Sequence, residues 1–297
     1  MVKINDGEVF VNSLRINREA LQMARMQFCL DMGLSWEEYV RQPKQKVCIR
    51  KASYKEGTDL INTEGARVYE GRNDFFHAII CLGQLFLVVD EQLYDWAVEK
   101  FTNYPPEWFC RFDNLRMIDE KLKEYGHRIK DTHVYMLPEA AGPGTVCKNP
   151  QGPTVKCTQN DETYVWYSQE EILNFKGNNK FSSAICFSKT QPDMLAVAAV
   201  KGSNRDCVSG KKPFDQSGMA GMAGVSADGE YLWQIGINVV KEAESRGVAT
   251  RLVRMMKDAV IRQGKTPFYG TSESHTVSQT VGLKAGFVPA WTEVYVE

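Results

Sequence analysis

The segment best suited to chemistry is a strand that passes through a short loop into an amphipathic helix. Tyr231 to Val240 (YLWQIGINVV) predicts the strand, and the loop behind it contains Gly247. From Val248 onward apolar residues recur at helical spacing, so Gly247 lies at the start of the helix. The first N–H groups of a helix have no partner within it, and the helix dipole adds partial positive charge. The segment predicts an anion-binding site; the other interpretation is an ordinary helix start with a convenient glycine.

The side chains beside this glycine strengthen the prediction. Arg246 and Arg251 carry positive charge, and Ser245 and Thr250 carry hydroxyl donors. Small Ala249 keeps the next helical turn open. The phosphate-loop patterns GxxxxGK[ST] and GxGxxG are both absent, so this loop is of a third kind.

Strands and helices alternate around the loop. Stops such as Gly264 and Pro267 separate these elements. The segments predicted as strands are Asp193 to Lys201, Met219 to Val225, Pro267 to Thr271 and Phe287 to Val296, and His275 to Ala285 is predicted as a short helix.

A polar segment divides the chain. Glu139 to Gln159 concentrates Gly, Pro, Thr and Asn without apolar periodicity, which is typical of a linker. The length of 297 residues also favours two domains. We therefore expect an amino-terminal α/β domain of unknown role over 1–140 and a second domain over 160–297. The elements predicted in the first half are a helix at Asn17 to Met32, a strand at Gln84 to Val89, a helix opened by Asp90, a helix at Leu115 to Tyr125 and a strand at His133 to Leu137.

Two partial signatures follow each other in the second half. The first is the strand, the loop E-S-R-G-V-A and its helix; the second ends in K-A-G-F, where Ser278, Lys284, Gly286 and Phe287 match and His275 replaces an Asn. Together they resemble the GNAT superfamily of acetyl-CoA-dependent acetyltransferases. The phrases WQIGI, FYGTS and KAGFVPAW are similar to a GNAT subgroup with an extra amino-terminal domain. The resemblance implies an α/β (α+β) fold: a GNAT-type mixed sheet flanked by helices, plus a smaller amino-terminal α/β domain.

The resemblance also implies a cofactor, acetyl-CoA or CoA, and no metal. Its pyrophosphate lies on the loop and its pantetheine arm on the preceding strand. Glu244 departs from the family pattern, which has Gln or Arg there, and an acidic side chain adds no attraction for phosphate. The cofactor-binding residues implied are Ile237, Asn238, Val239, Glu244, Ser245, Arg246, Gly247, Val248, Ala249, Thr250, His275 and Ser278.

The acid and the base of the reaction do not follow from the resemblance. The position of the family's usual tyrosine is Gly282. We expect Glu273 and His275 to handle protons, because His275 has a suitable ordinary pKa; helix capping is the alternative role. Tyr269 and Tyr231 are the next candidates. In the family a carboxylate on the strand before the loop often serves as the base, but Tyr231 to Val240 contains none. Asp228 and Glu230 lie at the start of this strand; we interpret them as turn residues, and the alternative role is that base.

Composition excludes several classes of partner. With 36 Lys plus Arg against 37 Asp plus Glu, the net charge is −1, so no overall positive field exists for a nucleic acid or an anionic membrane. The longest apolar run, Ala78 to Val89, is too short for a membrane-spanning helix. The first residues, MVKINDGEVF, lack an apolar signal core, and the eight cysteines form no CxxC pair. We expect a cytoplasmic protein with isolated thiols.

The leading functional hypothesis is an N-acetyltransferase that moves an acetyl group directly from acetyl-CoA to an amine of a small molecule or peptide. The alternative is a non-catalytic acyl-CoA-binding sensor or regulatory module with a degenerate site, which Gly282 and Glu244 favour. A third hypothesis is a pair of structural domains without cofactor. One sequence does not identify the acceptor. The final strand, W-T-E-V-Y-V, suggests pairing at a sheet edge in a homodimer.

Overall fold

The structure is a computed structural model that describes residues 15–41, 46–69, 71–140, 154–157, 162–201 and 212–297. Within these ranges, both halves of the chain alternate strands and helices, as predicted. The first half contains α1 (Arg18–Asp31), α2 (Trp36–Val40), β1 (Val47–Lys51), β2 (Phe76–Cys81), β3 (Gln84–Val89), α3 (Glu91–Phe101), α4 (Phe112–Lys123) and β4 (Ile129–Pro138). The second half contains β5 (Thr154–Cys157), β6 (Glu162–Ser168), α5 (Gln169–Ile172), β7 (Asp193–Lys201), β8 (Met219–Ala227), β9 (Leu232–Val239), α6 (Val248–Arg262), β10 (Thr266–Thr271), α7 (Thr276–Lys284) and β11 (Phe287–Val296).

The strands form one mixed sheet in the order β1-β3-β2-β11-β4-β10-β9-β8-β7-β6-β5. β1 with β3 and β9 with β10 are parallel pairs, and the other neighbours are antiparallel. The halves interleave, because β4 from the first half lies between β10 and β11. The mixed sheet predicted from the sequence is confirmed, and its helices lie against it. The division into two domains stays a prediction, and most of the predicted linker lies outside the described residues.

The carboxy-terminal strand is not an edge. β11 pairs with β2 on one side and with β4 on the other, both antiparallel. The expectation that this strand pairs at a sheet edge is therefore wrong, because both of its backbone edges are already occupied. The predicted homodimer, which was based on this edge pairing, stays a prediction.

The parallel pair at the centre of the sheet separates part of the way along. β9 and β10 pair only over Leu232–Gln234 and Thr266–Phe268. Beyond these positions β10 continues to pair with β4, and β9 continues to pair with β8. Because each strand follows a different neighbour, an opening widens between them toward their carboxyl ends. Gln234 and Phe268 mark its apex.

The two faces of the sheet carry separate cores. The amphipathic helix α6 buries Leu252, Val253 and Met256 with Ile235 and Tyr269 on one face, which we call the α6 face. Each such side chain stabilises the fold by about 1.5–3 kcal/mol on burial.

On the opposite face, the α1 face, Phe28 of α1 packs edge-on against Trp291, with ring centroids 5.2 Å apart. Tyr135 and Phe268 belong to the same cluster. None of the helices in the described ranges is long and apolar enough to cross a membrane. The described side chains of Cys29, Cys48, Cys81, Cys110 and Cys186 are free thiols.

Candidate functional site

The start of α6 leaves its backbone amides available. Gly247 caps the helix in the left-handed conformation (φ 76°), and no side chain accepts a hydrogen bond from the first turn. The first helical bond runs from the Arg251 N–H to the Gly247 carbonyl (3.1 Å), so the N–H groups of Val248, Ala249 and Thr250 precede it. The loop 244–247 is exposed and the first turn carries no acidic residue. This is the geometry of an anion-binding helix start.

The two arginines beside the loop differ in their surroundings. The Arg251 guanidinium donates to Glu162 Oε2 (2.7 Å), to the Tyr164 hydroxyl (2.7 Å) and to the Arg246 carbonyl (3.2 Å). Its charge is therefore balanced by Glu162, which the sequence could not indicate. Arg246 is exposed and, in the described part of the chain, has no carboxylate within ion-pair distance. Of the two arginines, Arg246 is therefore the one whose charge is available to a bound anion.

Backbone groups of β9 point into the opening. Hydrogen-bonded residues alternate along an antiparallel ladder. The Val240 N–H donates to the Ala220 carbonyl on the β8 side, and the Thr266 N–H donates to the Tyr231 carbonyl on the β10 side, both at 3.0 Å. Even-numbered residues of β9 therefore direct their N–H and C=O groups to β8, and odd-numbered residues direct them toward β10. Ile237 and Val239 thus present theirs to the opening.

Asn238, also predicted from the sequence to bind cofactor, is engaged elsewhere. Its Oδ1 accepts a hydrogen bond from the Ser183 N–H (2.6 Å). That bond fastens the segment 181–187 across the α1 face. Gly236 is needed there, because a Cβ at this position would overlap the Ser183 carbonyl oxygen. Asn238 therefore holds the wall of the opening instead of facing into it.

Tyr269 occupies the space where the resemblance expects a different tyrosine. It is the first β10 residue beyond the apex, it is buried, and its hydroxyl lies 2.7 Å from Ser278 Oγ on α7. Burial raises the pKa of Tyr269, and the Ser278 hydrogen bond opposes this rise. A Cβ at Gly282 would lie 2.8 Å from Met136 Sδ and 3.1 Å from the Tyr269 ring. A side chain at Gly282 would therefore have to displace Met136 Sδ and press on the Tyr269 ring.

Glu273 and His275 lie together at the turn between β10 and α7. Both side chains are exposed, and His275 is the residue before the first turn of α7. The Glu273 carbonyl accepts a hydrogen bond from Gln279 Nε2 (2.7 Å), and the His275 N–H donates to the Ser272 carbonyl (3.2 Å). Both residues therefore stand at the wide end of the opening, away from its apex.

A cavity opens at the apex on the α1 face, and no motif in the sequence indicated it. Its volume is about 720 Å³. Its floor includes Gln234 and Phe268, and its walls come from both halves of the chain: Arg67, Tyr69, Gly71, Lys130, Asp131, His133, Tyr135, Cys186, Phe187, Ser188, Lys189, Thr190, Gln191, Asp228 and Tyr295. Small-molecule sites are commonly of this size. The lining residues are scattered over the sequence, so only the fold brings them together.

Asp228 is the buried carboxylate of this cavity. Ser226 Oγ donates to its Oδ1 (2.7 Å) and Gln191 Nε2 donates to its Oδ2 (2.6 Å). Burial raises the pKa of Asp228 from 3.8 to about 7, although Ser226, Arg67 and Gln191 each lower it. Asp228 lies in the turn between β8 and β9, as interpreted from the sequence, and its burial raises its pKa into the range in which a carboxyl group can exchange a proton near neutral pH.

Replacing Asp228 by Asn is expected to change how stability depends on pH. Because the pKa of Asp228 is higher in the folded chain than in the unfolded chain, the folded state keeps the proton between about pH 4 and pH 7. Stability of the unmodified protein should therefore fall as pH rises through this window. Asp228→Asn removes this slope and raises the free energy of unfolding at pH 8 by about 1–4 kcal/mol. Urea unfolding at several pH values measures it.

A second variant sharpens the comparison. Ser226→Ala removes a donor that lowers the pKa of Asp228, so the falling part of the curve should extend to higher pH. The same slope in Asp228→Asn as in the unmodified protein would show that another group titrates there.

Comparison with known proteins gives solved structures alone. No protein-family model matches the sequence, and neither does any curated protein. A GCN5-related N-acetyltransferase-like protein from Streptococcus suis is 11% identical, with a TM-score of 0.41, over 93% of this chain and 98% of that one. A GCN5-related N-acetyltransferase from Sphaerobacter thermophilus is 13% identical, with a TM-score of 0.37, over 95% of this chain and 94% of that one.

A third similar structure matches over a smaller share of both chains. An acetyltransferase from the GNAT family of Colwellia psychrerythraea is 10% identical, with a TM-score of 0.34, over 57% of each chain. The solved structures similar to this chain thus include proteins named as GNAT-family or GCN5-related acetyltransferases.

Proposed function

We propose that the protein is an N-acetyltransferase that transfers an acetyl group from acetyl-CoA to an amine. The observation that carries the proposal is the opening between β9 and β10, with the amides of the α6 start at its wide end and a cavity at its apex. Along the opening, from its wide end to its apex, lie first an anion-binding site, then free backbone groups of β9, and last a cavity large enough for an acceptor. This arrangement suits two substrates that meet at the apex.

The residues present fit acetyl-CoA. The amides of Val248, Ala249 and Thr250 would hold the pyrophosphate, and Ile237 and Val239 offer backbone partners to the amides of the pantetheine arm. Arg246 adds a cation, and Glu244 is exposed, so its carboxylate can turn toward water. When bound, acetyl-CoA supplies an activated acetyl thioester. His275 and Ser278, the other cofactor contacts proposed from the sequence, stand on the α7 side of the opening.

The chain's own contribution to the reaction is positioning and proton transfer. Holding two reactants side by side supplies much of the acceleration. Asp228, on the cavity wall, accepts the proton of the incoming ammonium, since its raised pKa of about 7 suits a general base near neutral pH. The Tyr269 hydroxyl, which is oriented by Ser278 on the α6 face, would give its proton to the thiolate sulfur that leaves when the amine takes the acetyl group. Glu273 and His275 exchange protons with solvent at the wide end.

Titration calorimetry with acetyl-CoA, followed by a free-thiol assay of CoA release with a panel of amines, tests the proposal. We expect micromolar or tighter binding and amine-dependent release. Binding without release for any amine would favour the non-catalytic acyl-CoA-binding module. Absence of binding would contradict both. The double variant Glu273→Gln with His275→Ala tests which residues carry the protons. If the rate of CoA release is unchanged in this variant, Asp228 and Tyr269 carry them.

A further inference from the structure

The cavity at the apex contains two buried hydrogen-bond donors without an acceptor. Arg67 and Tyr69 line the cavity, and Arg67 Nη2 and the Tyr69 hydroxyl are buried atoms that have no partner among the described residues. The other guanidinium nitrogens of Arg67 are engaged, with Nε donating to Asp31 (2.6 Å) and Nη1 to Glu293 (2.7 Å). A buried donor that has no acceptor destabilises the fold, because the water it gave up on burial is not replaced. A ligand oxygen in the cavity would satisfy both.

The charges around the cavity favour a negatively charged oxygen. Lys130 and Lys189 are exposed on its rim, and neither has a carboxylate within ion-pair distance in the described part of the chain. Of the two acidic residues that line the cavity, Asp131 lies 3.5 Å from His133 Nδ1 and Asp228 is buried.

The carboxylates nearest Arg67 are already saturated. Glu293 and Asp31 receive hydrogen bonds from its Nη1 and Nε, and Glu293 receives a further one from Trp291 Nε1 (2.6 Å). Arg72 Nη2 donates to the Asp31 carbonyl (2.9 Å). These groups hold the guanidinium in place, so its free Nη2 has a fixed direction for a ligand.

The remaining walls are aromatic. Tyr135 packs against Phe268 with ring centroids 5.6 Å apart, and Tyr69 packs edge-on against Tyr295 with centroids 5.4 Å apart. Phe187 also lines the cavity. Such walls accept an apolar or aromatic group, whereas the two donors and Asp228 fix the polar ends of a ligand.

We propose that the cavity binds a small amino acid-type acceptor, an amine that also carries a carboxylate. Its carboxylate lies on Arg67 Nη2 and the Tyr69 hydroxyl, its apolar part lies against the aromatic walls, and its amine faces Asp228 and the apex. Acetyl transfer to this amine rests on the proposed function, but binding of the ligand does not. A long peptide amine does not satisfy both ends at once, because its carboxylate lies far from its amino group.

The test is titration calorimetry without acetyl-CoA, using leucine, phenylalanine and methionine, each beside its decarboxylated amine. We expect at least one amino acid to bind on the order of ten-fold more tightly than its amine. Tyr69→Phe should weaken the amino acid by a similar factor and leave the amine unchanged. The variant should fold as stably as the unmodified protein, because the hydroxyl it removes has no partner. Tyr125→Phe, at a hydroxyl outside the cavity, is the matched control.

A second variant tests the charge without touching the core. Lys130→Gln with Lys189→Gln should weaken the amino acid and not the amine. Equal affinity of an amino acid and its amine, or no binding by any of the three pairs, would overturn the proposal. If an amino acid binds and its binding depends on Tyr69, but acetyl-CoA does not bind, then this inference holds and the proposed function is wrong. If only amines without a carboxylate are acetylated, then the proposed function holds and this inference is wrong.

Discussion

Glu293→Gln is expected to lower the free energy of unfolding by about 3–5 kcal/mol. Glu293 is fully buried on β11 and joins the two halves of the chain. Its carboxylate accepts hydrogen bonds from Arg67 Nη1 (2.7 Å) and Trp291 Nε1 (2.6 Å), and it lies 2.8 Å from His77 Nε2. The amide of Gln is neutral and places an N–H group toward one of these donors. The Arg67 guanidinium would then remain buried with Asp31 as its one directly bonded carboxylate.

The pH dependence of the same variant follows from the pKa of Glu293. Burial alone raises that pKa, but Arg67 and His77 together hold it well below its ordinary value of 4.5. Because the folded-state pKa is the lower one, this carboxylate stabilises the fold above about pH 4.5 and the contribution is lost as pH falls below it. Glu293→Gln should therefore cost most at neutral pH and progressively less in acid. Urea unfolding at pH 7 and at about pH 3, below the ordinary pKa of Glu, measures the difference.

Glu297→Gln is the matched control for burial. Glu297 pairs with Arg128 at a similar distance (2.6 Å), but both side chains are exposed, 40% and 69% respectively. Exposed pairs contribute about 0–1 kcal/mol because water and salt screen them. Comparable losses for the two variants would mean that the buried network is not what stabilises the junction of the halves.

Local sequence patterns sufficed for most elements of the fold. β7 and β11 have the predicted bounds, because a short apolar run between polar residues indicates a buried strand. α6 starts one residue after Gly247 and ends two residues before Gly264, as its apolar stripe and its two glycines predict. The anion-binding site at the start of α6, which we call the cradle (residues 244–250), could be predicted for the same reason, since a helix start is a local feature.

The remainder of the site depends on contacts between distant parts of the chain. The pairing of Arg67 with Glu293 joins residues 226 positions apart, and no spacing rule indicates it. The insertion of β4 between β10 and β11 is likewise a long-range event. It places Met136 and the Tyr269 ring against Gly282, which explains physically why that position has no tyrosine. The sequence alone presented this as a missing acid.

The cavity and the cradle lie on opposite sides of one strand pair, which gives the site two independent halves. Strands β9 and β10 pair at the apex and separate beyond it, so one end of the opening is fixed while the other is wide. The cavity is lined by residues of both halves of the chain, whereas the cradle is built by the second half alone, and none of its residues 244–250 lines the cavity. A change in one is therefore expected to leave binding at the other intact.

Gly247→Asp is expected to weaken acetyl-CoA binding on the order of 100-fold, close to 3 kcal/mol. A Cβ at Gly247 meets Arg251 Nη1 at 3.3 Å, so the end of that flexible side chain must move slightly to accommodate the new one. Its carboxylate would accept hydrogen bonds from the first-turn amides of α6 and repel a pyrophosphate. This capping offsets part of the strain that a side chain suffers at φ 76°. The folded protein should therefore persist while the anion site is occupied by its own side chain.

Gly264→Asp is the control for this variant, because it repeats the same change at the other end of α6. Gly264 has φ 73° and nothing within 4 Å of a Cβ, so the backbone strain is comparable. Near the carboxyl end of a helix the new carboxylate is mildly destabilising, yet it is remote from the cradle. Calorimetric titration of both variants with acetyl-CoA should show loss at Gly247 and unchanged affinity at Gly264. Unchanged affinity in Gly247→Asp would remove the pyrophosphate from the start of α6, and equal losses in both variants would attribute the effect to strain.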